Sequence, residues 1–176
     1  MNSNLSIAPV SNGSEVENCK VIVMKIAGHL LAIPVSTVFK IIRSSLGYSS
    51  NLGSNKIVHL EEETFPIIDL HNLLIQIKPS NNLEDRSQSL SEDDRFFVLA
   101  RSTKGSLSAI IVDEPPTLMN LPLQNTYLLP SNESNKINNI ASHVAVVPFQ
   151  QSNLTIFLLD IQQALIAIGF SNGHFI

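Results

Sequence analysis

Two aspartates stand where paired acid/base chemistry could be built. Asp69 closes the run Thr64-Phe-Pro-Ile-Ile-Asp69, and Asp160 closes Thr155-Ile-Phe-Leu-Leu-Asp160, 91 positions further on. Two carboxylates at matching places in a duplicated chain could divide the roles of acid and base. Enzymes built on such a pair place a glycine two residues after the aspartate, whereas Leu70-His71 and Ile161-Gln162 follow here. A different use fits better. Leu70, Leu73, Leu74 and Ile77 share one helix face, as do Ile161, Ala164, Leu165 and Ile168, with Gly169 as a stop. Each aspartate precedes its helix and can accept from free backbone N–H groups there. Both are therefore read as caps.

Other reactive groups also have structural readings. Asp113 ends an apolar run as a phospho-acceptor would, but the acidic pair and lysine of such a site are missing from the pattern, so turn chemistry is expected. His29, His59, His71, His143 and His174 show no ligand spacing, and no metal or cofactor is expected. Cys19 has Lys20 as its one basic neighbour and reads as a small structural or solvent-facing residue. Gly105 marks a turn rather than a phosphate cradle. No enzyme is read from these residues.

The elements that position them come from a chain of 176 residues, 44% apolar and 15% charged, enough for a sizeable core. A net charge of −4 gives no reason to expect nucleic acid. One cysteine excludes an internal disulfide framework. No apolar run approaches the roughly 18 residues of a membrane span, so no membrane insertion is expected and a cytoplasmic location is. The sequons at Asn12, Asn132 and Asn153 are what an Asn- and Ser-rich chain produces by chance.

Residues 1–18 read as a loose tail. Val21–Ile26 and Leu30–Val35 flank Ala27-Gly28-His29 as a hairpin, with Pro34 closing the second strand. A short helix is expected next, with Val35, Val38, Phe39 and Ile42 facing inward and Ile41 off the stripe. A loop over 44–55, a strand Lys56–Leu60 and a turn at Glu61-Glu62-Glu63 lead into the Asp69 unit. Residues 79–94 read as a polar connector, and 171–176 as a terminal tail.

The second half repeats the first. Gly105, Leu107, Ala109, Ile110 and Val112 match Gly28, Leu30, Ala32, Ile33 and Val35 at an offset of 77. The offset reaches 91 at the aspartates, so 14 extra residues lie between, within an interval broken by Pro115, Pro116, Pro122 and Pro130. Two similarly folded halves of short strands with brief helices follow from this. Short strands at regular spacing favour small barrels.

Four motifs in order then resemble the CheW-like domain of bacterial chemosensory signalling. They are Leu30-Leu-Ala-Ile-Pro-Val-Ser-Thr-Val-Phe-Lys-Ile-Ile-Arg43, Pro66-Ile-Ile-Asp-Leu70, Ile110-Ile-Val-Asp113 and Leu158-Leu-Asp-Ile161. The resemblance spans about residues 19–170. It implies a mainly β fold of two five-stranded SH3-like barrels, one near 19–78 with a C-terminal closing segment and one near 95–160. It also implies a non-enzymatic adaptor joining methyl-accepting chemotaxis receptors to a CheA-type histidine kinase. A groove between the barrels would take a receptor helix, lined by Val38 and Ile41 on one side and Val112 on the other. Kinase contact would fall on the first barrel around Lys56 and Glu61.

This chain departs from that pattern in charge. His59-Leu60-Glu61-Glu62 stands where the family has Asn-Leu-Arg-Gly, so a coupling arginine becomes Glu61. The acidic position that usually follows the Pro-Val motif is Lys40 or Ile41. Asp113-Glu-Pro-Pro-Thr replaces the family's Val-Asp-x-Val. A scaffold of the same fold serving another partner, or self-associating, in a chemosensory or pilus-motility system is the alternative.

Overall fold

The computed structural model describes residues 17–53, 55–77, 94–130 and 136–170, apart from the Tyr48 side chain. Nearly all of the expected N-terminal tail and connector, and all of the C-terminal tail, lie outside these residues. The first half runs β1 (Asn18–Ile26), β2 (His29–Pro34), β3 (Val38–Arg43), β4 (Tyr48–Leu52), β5 (Asn55–Leu60), β6 (Glu63–Ile68) and α1 (His71–Leu74). The second runs β7 (Phe96–Arg101), β8 (Leu107–Val112), β9 (Thr117–Pro122), β10 (Thr126–Leu128), β11 (Ala141–Phe149), β12 (Ser152–Leu159) and α2 (Ile161–Ala167). Ala27 and Gly28, at φ +48° and +77°, make the two-residue turn that suits the twist of a β1–β2 hairpin.

Two six-stranded sheets form, in the orders β10-β11-β12-β2-β1-β9 and β3-β7-β8-β6-β5-β4. They do not divide at the connector. The β1–β2 hairpin of the first half pairs with β9 and β12 of the second. Reciprocally, the β7–β8 hairpin pairs with β3 and β6. Each half thus lends its first hairpin to the other half's sheet. Residues 18–34 thus pair into the sheet of β9–β12 rather than into that of β3–β6.

Three apolar clusters result, and strand periodicity distributes residues among them. Val21, Val23, Ala32, Leu121, Ala145 and Ile156 fill one sheet's interior. Val58, Phe65, Ile67, Phe97, Leu99, Ala109 and Ile111 fill the other. The opposite faces of the exchanged hairpins, including Ile22, Met24, Leu31, Ile33, Val98, Ile110 and Val112, meet in a central core between the sheets. Strands β1, β2, β7 and β8 are buried on both faces, which is why they read as unbroken apolar runs.

The helix expected after Pro34 is a strand. A 3₁₀ turn over Val35–Thr37, held by Thr37 Oγ1 donating to the Pro34 carbonyl at 2.7 Å, leads directly into β3. Val38, Ile41 and Ile42 are β-branched and pair across to β7 through a bulge between Val38 and Lys40. The pairing turns Phe39 outward, 62% exposed, rather than into the expected stripe. The loop expected over 44–55 contains β4, which closes the sheet edge against β5.

The two strand–Asp–helix units are present. Asp160 Oδ1 accepts from the Gln163 N–H at 3.0 Å as a true N-cap, and Gly169, at φ +88°, follows the helix end. Asp69 Oδ1 accepts from the His71 N–H at 3.2 Å, ahead of a four-residue helix. Leu70 and Leu74 are buried in the central core with Ile161, Ala164 and Leu165.

Candidate functional site

The parallel pairing of β6 with β8 aligns Ile68 with Ile110 and delivers Asp69 and Asp113 at the same end of the sheet. His71 lies between them. Its Nδ1 is 2.7 Å from Asp69 Oδ1, and its Nε2 is 2.6 Å from Asp113 Oδ1. Asp113 Oδ2 also accepts from the Ala27 N–H at 2.8 Å, tying in the exchanged β1–β2 turn. Lys56 Nζ stands 3.5 Å from Asp69 Oδ2, and Arg95 Nε stands 4.0 Å from Asp113 Oδ1.

Charge follows from this geometry. The hydrogen bond from His71, strengthened by the charges of His71 and Lys56, takes Asp69 down to about 2 against the opposing effect of burial. Burial by itself would lower the pKa of His71, but hydrogen bonds to Asp113 and Asp69 and their negative charge raise it to about 9. Burial likewise opposes ionisation of Asp113, yet the bond from His71 holds its carboxyl below the usual range. His71 is a cation at neutral pH and donates from both ring nitrogens. A histidine so held has no lone pair for base catalysis, and an aspartate so low is a poor proton donor. The arrangement is a clamp.

Asp69 and Asp160 line different cavities, so they are not gathered as an acid/base pair. The repeat equivalents of His71 and Asp113 are Gln162 and Ser36, so the clamp is built at one end of the pseudo-symmetric fold. Sequence reading gave His71 no role. Its signal was the Asp69-x-His71 spacing together with Asp113 at another strand end.

The residues expected to meet partners fall in different environments. Val112 is fully buried in the central core, and Val38, half-buried, packs against the same core. The two exchanged hairpins fill that space between the sheets. Ile41 is 40% exposed and, with Val35, Phe39 and Leu46, makes an apolar surface along and beside β3. Glu61 occupies the β5–β6 turn at φ +56°, with its Oε1 3.3 Å from Lys40 Nζ. Lys56 is half-exposed beside Asp69.

Two clefts adjoin the clamp. The larger, about 880 Å³, lies among α1, α2 and the 3₁₀ turn Lys136–Asn139, where Lys136 Nζ donates to Gln76 Oε1. The smaller, about 460 Å³, lies beside β4 and is lined by Arg95, Lys56, Ser44, Ser49 and Ser50 over Phe97 and Ile111.

No protein-family model matches the chain, and no curated protein does. Among solved structures, the scaffolding protein TtCheW from Thermoanaerobacter tengcongensis superposes with a TM-score of 0.61 at 13% identity, covering 85% of this chain and 88% of that one. The fold is CheW-like. This bears out the mainly β architecture of two SH3-like units expected from the four motifs. Among the described residues, no helix is long and apolar enough to cross a membrane.

Proposed function

We propose that the protein is a non-enzymatic adaptor that works in the cytoplasm by protein–protein contacts, coupling methyl-accepting receptors to a CheA-type histidine kinase. The observation that carries this reading is the likeness to a scaffolding protein over 85% of the chain. The β3 surface supports it: Phe39 and Ile41 are exposed apolar side chains on an edge strand, a form of surface suited to protein contact. Lys56, on β5 of the same sheet, and Glu61, in the β5–β6 turn, are the charged residues that this reading assigns to kinase contact. The purified protein should bind the regulatory domain of such a kinase in a titration followed by calorimetry. Phe39→Asp should weaken binding by at least about tenfold with the circular dichroism spectrum unchanged, as expected for an anchor at an interface. Failure to bind any kinase regulatory domain or receptor fragment would sink the proposal.

A second reading rests on the Lys40–Glu61 pair. Two of the departures from the family's charge pattern, Lys40 and Glu61, meet here across 3.3 Å. The pair presents to a partner a charge order opposite to the family pattern. This favours a scaffold whose partner differs from the usual kinase, or a second copy of itself. The double variant Lys40→Glu/Glu61→Arg should leave stability almost unchanged, because exposed pairs contribute little. If the second reading is right, it should lose the native partner, and Glu61→Arg alone should leave kinase binding unimproved. Improved kinase binding would count against it.

A further inference from the structure

Asp113 stands between two cations and bonds to one of them. Its Oδ1 lies 2.6 Å from His71 Nε2 and 4.0 Å from Arg95 Nε. The second distance is too long for a hydrogen bond, and Arg95 Nε is buried without an acceptor. A buried donor in that state is costly and uncommon in native structures. An approach of about 1 Å by the Asp113 carboxylate satisfies it. The unused partner is therefore already in place.

His71 decides which partner Asp113 takes. Both of its ring nitrogens face carboxylate oxygens, at 2.7 Å to Asp69 Oδ1 and 2.6 Å to Asp113 Oδ1. An ionised carboxylate only accepts, so the two contacts together require a proton on each nitrogen. A neutral ring carries one proton, and its bare nitrogen then sets a lone pair against a carboxylate oxygen. Asp69 keeps the remaining proton, because it lies two residues from His71 and also accepts from the His71 backbone N–H at 3.2 Å. Lys56 Nζ, at 3.5 Å, stays with Asp69 as well. Asp113 is the carboxylate repelled, and Arg95 is the cation left to receive it.

The remaining charged and titratable neighbours fix what can move. The Asp113 N–H donates to the Lys25 carbonyl at 3.0 Å, and Lys25 Nζ pairs with Glu114 at 2.8 Å. These contacts hold the backbone at the end of β8 against β1. Asp113 Oδ2 accepts from the Ala27 N–H at 2.8 Å, while the Ala27 carbonyl lies 3.0 Å from His29 Nδ1. Movement is thus confined to the Asp113 side chain, and the Ala27 N–H is the contact that changes with it. We propose that Asp113 is a two-position switch set by the proton on His71 Nε2. With the proton present it holds His71 and the β1–β2 turn; with the proton lost to solvent it swings to Arg95 Nε and loosens its hold on Ala27. The proposal does not depend on the adaptor reading, because it rests on the geometry around one carboxylate.

NMR titration of the isotope-labelled full chain, from neutral pH to about 10.5, tests it. The His71 ring nitrogens, Asp113 Cγ and Arg95 Nε should shift together through one midpoint at about 9. The Ala27 amide should lose protection from exchange across the same step, while the Asp113 amide, bonded to Lys25, keeps its own. His71→Arg places at the same site a cation that does not lose its proton in this range. It should hold Asp113 in the first position and abolish the steps at Arg95 Nε and Ala27. The titration of the unaltered chain decides the matter even if that variant does not fold. A His71 titration that leaves Arg95 Nε unmoved would overturn the switch, and so would a step at Arg95 Nε that survives in His71→Arg.

Discussion

His71 gains two carboxylates on folding, and the sign of the resulting pH dependence follows from the direction of its shift. Its pKa rises from 6.5 to about 9, so the stabilisation is fully present below 6.5 and is lost as pH rises through 9. Asp69 falls from 3.8 to about 2, so its share is present above 3.8 and is lost as pH falls through 2. The two shifts describe one interaction seen from both partners and are not added. At neutral pH the clamp contributes about 2 kcal/mol, by the free energy of a shift of this size. Urea unfolding between pH 6 and pH 10 should show stability falling on the alkaline side, and His71→Gln should remove that fall. The same variant should cost about 2–3 kcal/mol at pH 6.5, because it leaves two half-buried carboxylates without their cation. An unchanged alkaline limb would show that another group carries it. The clamp was hard to read in the chain because Asp113 lies 42 residues from His71 and becomes its neighbour through the β6–β8 pairing. By contrast, the Asp160 cap was legible, since every contact it needs is within three residues.

Elements were legible where local pattern and tertiary demand agree. The β1–β2 hairpin announces itself through Ala27-Gly28 between apolar runs, and α2 through its stripe and Gly169. Strand β3 was misread because Val35, Val38, Phe39 and Ile42 satisfy helical spacing as well as they do a bulged strand. What decides between them is β7, which offers Phe96–Ala100 as a ladder and becomes available through the hairpin exchange. Strand β4 is polar, Tyr48-Ser-Ser-Asn-Leu52, so no apolar period marked it. Its position depends on Gly47. A Cβ there would lie 2.7 Å from Val58 Cγ2 and 2.8 Å from Leu60 Cδ2, although φ of −115° suits any residue. Gly47→Ala should therefore destabilise by overpacking, by about 1–3 kcal/mol in urea unfolding. A neutral result would mean that Val58 and Leu60 yield easily and that β4 is loosely seated.

At the scale of the molecule, duplication was visible in the sequence and exchange was not. Repeat offsets show that the halves are alike, but they carry no information about which half's edge a hairpin joins. Four ladders cross between halves: β1 with β9, β2 with β12, β3 with β7, and β6 with β8. Without the second half, Val21 and Val23 would lose Leu121, Ala145 and Ile156, and the other face of β1 would lose the central core. Neither half can close its own interior, so the fold is a single cooperative unit despite its two sheets. Breaking the chain between Ile77 and Asp94 therefore makes a direct test, because the described ladders leave that interval uncut. Two co-expressed pieces should purify as a one-to-one complex with the spectrum of the intact protein. Each piece alone should lack a cooperative unfolding transition. Their complex should melt at a concentration-dependent temperature, since the connector no longer supplies the effective concentration that holds the halves together. A first-half piece that unfolds cooperatively by itself would show that β1 and β2 can turn back onto their own half, and that the exchange is one of two closures open to this sequence.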